Sequence, residues 1–303
     1  MMSEHKNATL VMGPVLFNWQ PEKWRDFYFR IADEADVDEV CVGEVVCSKR
    51  ESFFAPYMED VFSRLGSAGK KVILSTLALV MAKREMNAMR DIISNNEQNI
   101  IIEANDVSAA ALLNGQPHAV GPFVNVYNEG TLAYLAARGA QSVCLPVELG
   151  MNEISALAKN SPAQLEVMVF GRIPLAISAR CYHARAHSLH KDGCQFICDK
   201  DPDGMNVETI DGKPFLAVNG VQTMSHAYAN FSTAIPDLLA AGVSRLRLSP
   251  HSNIDMVGVA EIFRNTSSGA INADEAGTRL ASMFAGGDFC NGYINNQIGY
   301  AYS

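Results

Sequence analysis

The chain has 303 residues, 48% hydrophobic and 19% charged, enough to bury a full core in one large α/β domain or two small ones. Its net charge of −9 argues against a nucleic-acid groove, which needs a surplus of clustered Lys and Arg, and leaves only local basic spots such as Lys49-Arg50 and Lys70-Lys71. The opening MMSEHKNATLVMG lacks the basic and apolar regions of an export signal, and no apolar run is long enough to span a bilayer, so the expected location is cytoplasmic.

Short β-branched runs alternate with helical patterns, the mark of βα units building a parallel sheet. Strands are predicted over 8–12, 38–44, 70–76, 99–104, 119–126, 141–147, 164–170 and 244–249. Helices are expected over 21–35, 55–68, 81–95, 106–114, 129–138 and 150–160, with two more near 253–265 and 272–285. Gly69 and Gly139 stand where left-handed helix stops are wanted. Eight strands with alternating helices fit a closed barrel or an open doubly wound sheet, and the missing GxGxxG after the first strand favours a TIM-like (β/α)8 barrel. One domain over 1–303 is expected, with 171–243 as a long cysteine-bearing insertion between strands 7 and 8. Within it, VETIDGKPFLAVNG reads as a hairpin turning at Asp211-Gly212.

The seven cysteines are expected to be reduced, so metal ligation or catalysis outranks a disulfide framework. Cys181, Cys194 and Cys198 share the insertion, and Cys47 follows the second strand. In a barrel all βα loops emerge at one face, which lets these four meet. Four converging thiolates suit a [4Fe-4S] cluster, one per iron. Zinc and unrelated buried thiols remain open on spacing alone. Cys41 and Cys144 read as core, and Cys290 as an alternative fourth ligand.

The stretches GEVVCSKR, LSTLALV, VNVYN, CLPVEL, PLAISARC, NGVQTMS, RLSP and CNGY occur in an order that resembles the UbiV family, the smaller half of the UbiU–UbiV pair in the collagenase-like peptidase superfamily. The resemblance implies a TIM-barrel-like fold and a [4Fe-4S] cluster on Cys47, Cys181, Cys194 and Cys198. It also implies a heterodimer with a UbiU-like protein and O2-independent hydroxylation of the ring of a ubiquinone precursor. Peptidase activity is not implied for this branch, and the chain has no G-x-S-x-G or H-E-x-x-H motif.

Polar residues near strand ends are Glu44, Ser75, Thr76, Glu103, Asn125, Tyr127, Glu148, Arg172, Ser249 and His251. Glu44, Glu103, Asn125 and Glu148 form the favoured catalytic group. His183, His187 and His190 follow Cys181 and could replace a thiolate on iron, while Arg172, Arg180 and Arg185 could offset cluster charge or hold an anionic substrate. No oxygenase facial triad is legible in the sequence. The competing reading is a noncatalytic subunit whose cluster only stiffens the loop.

Overall fold

The computed structural model describes residues 8–96, 100–284 and 287–303. The first seven residues, residue 99 of the fourth predicted strand and residue 285 of the last predicted helix lie outside them. The strands are β1 (Thr9–Met12), β2 (Glu39–Val42), β3 (Lys71–Ser75), β4 (Ile101–Ala104), β5 (His118–Val120), β6 (Ala140–Cys144), β7 (Gln164–Ile177), β8 (Met205–Glu208), β9 (Pro214–Asn219), β10 (Gln222–Asn230), β11 (Arg245–Leu248) and β12 (Phe289–Cys290).

Strands β1 to β7 and β11 pair in parallel in the order β11-β1-β2-β3-β4-β5-β6-β7, and β11 also pairs with β7. The sheet is therefore a closed eight-stranded barrel, the TIM-like α/β fold, and not an open sheet. A helix follows each barrel strand because apolar residues recur at helical spacing. Trp24, Tyr28, Ile31 and Ala32 put one buried face on the helix Pro21–Glu34, and Pro21 opens it where no amide donor is needed. Asp106, Asn128 and Asn272 cap later helices by accepting backbone N–H bonds.

Two strands differ most from the sequence reading, while the second and sixth end two and three residues early, at Val42 and Cys144. The fifth was expected over 119–126 but ends at Val120, because Pro122 has no N–H for the ladder; a 3-10 turn over Pro122–Val124 follows. The seventh was expected to stop at 170 but runs on to Ile177. Its outer half leaves the barrel at Gly171, where φ is 119°, and pairs antiparallel with β10. Strands β8 and β9 form the expected hairpin beside it, and β12 adds to β10.

The barrel interior combines an apolar layer of Val11, Cys41 and Ile73 with a buried ion network. Arg245 binds Glu39 and Glu166, and Arg247 binds Glu166 and Glu103. Lys71 reaches Glu39 at 3.0 Å from the rim.

Candidate metal centre and barrel mouth

Cys47 is positioned by the turn that follows β2. Gly43 has φ of 135° and passes so close to the Ser75 carbonyl that a Cβ would collide with it. The Glu44 carboxylate then folds back and accepts the Val46 and Cys47 N–H groups, each at 2.8 Å. The next hydroxyl, Ser48, donates to Glu85 at 2.7 Å, and Glu85 also accepts N–H bonds from Met81 and Ala82. These bonds pin the loop on both sides of Cys47.

The other three cysteines lie on a compact segment after β7. Cys181 caps the short helix Tyr182–Ala186, its Sγ accepting the Ala184 N–H at 3.4 Å. Gln195 and Phe196 are both left-handed, with φ of 51° and 54°, and reverse the chain between Cys194 and Cys198. The Phe196 ring meets Phe53 edge-on at 4.6 Å, while Lys49 Nζ donates to the Lys191 carbonyl at 2.6 Å. The loop after β2 and the insertion are thereby joined.

All four cysteines line one cavity, together with Lys49, Arg50, Lys191, Phe196 and Gly220. Cys290 lies elsewhere, in β12. Cys41 and Cys144 are buried among the barrel side chains, where burial pushes both thiols well up despite Arg247.

Arg50 is 1% exposed. Its guanidinium donates to the Leu16 carbonyl and to Asn219, each at 2.9 Å, and its Nε has no protein partner. A Cβ on Gly220 would stand 2.8 Å from Arg50 Nη2, so glycine makes room for it. Burial works against the Arg50 charge, but Glu44, Cys198 and Cys47 outweigh it and hold its pKa up. Burial raises the Cys47 and Cys198 thiols, and Arg50 pulls in the opposite direction. The sequence reading gave the charge-offsetting part to Arg172, Arg180 and Arg185. Arg180 and Arg185 are exposed, Arg172 is bound to the Ser225 and His226 carbonyls, and the arginine that lies beside the four cysteines is Arg50.

This donor set fits a four-iron cluster. Four thiols surround one space, and a buried cation with a free donor faces the negative charge they would carry.

The four favoured catalytic residues do not converge. Glu44 braces the Cys47 turn, and burial raises its pKa. Glu103 is wholly buried inside the barrel, accepting Ser75 Oγ and Arg247, each at 2.6 Å. Asn125, with φ of 61°, and Glu148 line one mouth cavity of about 230 Å3, together with Pro146, Pro174 and Ala176. Tyr127 donates its hydroxyl to Glu148; burial and that carboxylate push its pKa up to about 12. Also near the strand ends, His251 Nε2 accepts the Arg172 N–H at 3.1 Å, and Arg172 lies over the Tyr228 ring at 4.6 Å.

A closed TIM barrel whose βα loops gather four thiols defines the class of molecule. The chain belongs to peptidase family U32, whose family profile matches residues 24–299. Solved structures similar to it include a tryptophan synthase complex from Pyrococcus furiosus, at 9% identity and a TM-score of 0.41, covering 91% of this chain and 99% of that one. A tryptophan synthase from Mycobacterium tuberculosis matches at 11% identity and a TM-score of 0.31, covering 93% and 95%.

Proposed function

We propose that this chain is the [4Fe-4S]-bearing subunit of a UbiU–UbiV-type heterodimer, which hydroxylates the ring of a ubiquinone precursor without O2 in the cytoplasm. The observation that carries the reading is the meeting of Cys47 with Cys181, Cys194 and Cys198 around one cavity, beside the buried Arg50. Family membership supports it, as does the ordered resemblance of short motifs along the chain.

In this reading the four thiols bind as thiolates and release their protons on loading. The bound group would supply electron transfer or activation of an oxygen donor. Arg50 offsets the thiolate charge, and Glu44 with Glu85 keeps Cys47 in register. At the mouth, Asn125 and Glu148 offer an amide and a carboxylate to a ring hydroxyl, with the Tyr127 hydroxyl donating to Glu148 Oε1.

A second reading, a structural cluster in a noncatalytic subunit, draws on the ties between the two loops at Lys49–Lys191 and Phe53–Phe196. The assay combines the chain, a UbiU-like partner, ring substrate and oxygen donor under strict anoxia. Hydroxylated product is expected, and Cys181→Ala should abolish it while leaving a folded, paired protein. No product from protein with intact iron would sink the catalytic reading; loss of folding or pairing in Cys181→Ala would favour the structural one.

A further inference from the structure

We propose that His183, His187 and Asp201 form a second metal site, separate from the four cysteines, for a divalent first-row ion such as zinc. The two histidines stand four residues apart on the helix Tyr182–Ala186 and its cap, a spacing that puts both rings on one side of a helical turn. Their rings stack at 5.9 Å between centroids, with 16° between planes. From the far end of the cysteine segment, Asp201 brings Oδ2 to 2.8 Å from His183 Nε2. One donor atom from each of the three residues lies within 4.8 Å of the other two.

A hydrogen bond between His183 and Asp201 accounts for two of these groups, but not for the second imidazole stacked beside them. Bound at about 2.0–2.1 Å to each, a tetrahedral ion would separate the nitrogen and oxygen by about 3.3 Å. Asp201, with its side chain 32% exposed, has room to retreat that far. His183 is fully buried and fixes one ligand, while the exposed His187 leaves the site open to solvent and to water ligands. Two imidazoles and one carboxylate suit zinc or ferrous iron, not calcium or magnesium, which prefer oxygen throughout. The site uses no thiol, so it stands independently of the cluster reading. It would clamp the segment between Cys181 and Cys198 across its base.

The test is a titration of the full-length, anaerobically purified chain with zinc chloride, after its iron has been counted. One zinc per chain beyond the iron is expected, bound at least tenfold more weakly by His187→Ala and Asp201→Asn, with iron content unchanged. Cobalt in place of zinc should give visible ligand-field bands without thiolate charge transfer. No zinc uptake, uptake unaffected by His187→Ala, or a thiolate signature would overturn the proposal. An iron-free wild type would count against the cluster alone, since the His187 comparison is read separately.

Discussion

Glu44 positions the Cys47 thiol without joining the four cysteines around their cavity. Its single oxygen takes both N–H groups that the turn after Gly43 leaves without ladder partners, including that of Cys47 itself. Removing that acceptor leaves two part-buried donors without a protein partner, at a cost of about 1–3 kcal/mol each when water cannot replace it. Glu44→Ala is therefore expected to unfold at lower urea and to lose iron under anoxia. Glu44→Gln keeps an amide oxygen and should retain most of both. Full iron in the alanine variant would show that Cys47 needs no such brace.

One strand departs from the sequence reading for a local reason and another for a distant one. The β-branched runs made the eight barrel strands legible, and Pro122 alone explains the early end of β5. The outer half of β7 was not legible, because its partner β10 lies across the insertion and no periodicity within 171–177 reports that pairing. At the end of β11, His251 is buried with Nε2 taken by the Arg172 N–H and Nδ1 3.8 Å from Asp203. Burial lowers its pKa, and Arg172 adds to this while Asp203 opposes it. The unfolded chain takes up this proton near pH 6.5, earlier than the folded one, so stability falls as pH drops below about 6.5. Asp203 is held below its ordinary value by His251 and Ser252 despite burial, so its contribution is lost only at lower pH. Urea midpoints from about pH 7 to about pH 5 should fall less steeply in His251→Asn than in the wild type. The two proteins differ only at this side chain, so equal slopes would contradict this assignment.

Across the whole molecule, charge is spent on the inside of the barrel. Three buried carboxylates, Glu39, Glu103 and Glu166, meet Arg245 and Arg247, and Lys71 reaches Glu39 from the rim, so each has a cationic partner. The alternation of arginine and leucine in β11 carried this signal, because residues two apart face the same side of a strand. The four cysteines were legible because one barrel face collects every βα loop. Arg50 and Glu85 were not, since Arg50 meets Asn219 across 169 residues and Glu85 meets Ser48 across 37. Only the closed fold creates those contacts. If thiols from two distant loops share one cluster, iron and sulfide analysis of the anaerobically purified wild type and Cys47→Ala, with absorption and EPR spectra, will show it. About four irons and four sulfides per chain, lost in the variant, are expected. Zinc in place of iron, no metal under anoxia, or a full cluster in Cys47→Ala would contradict it.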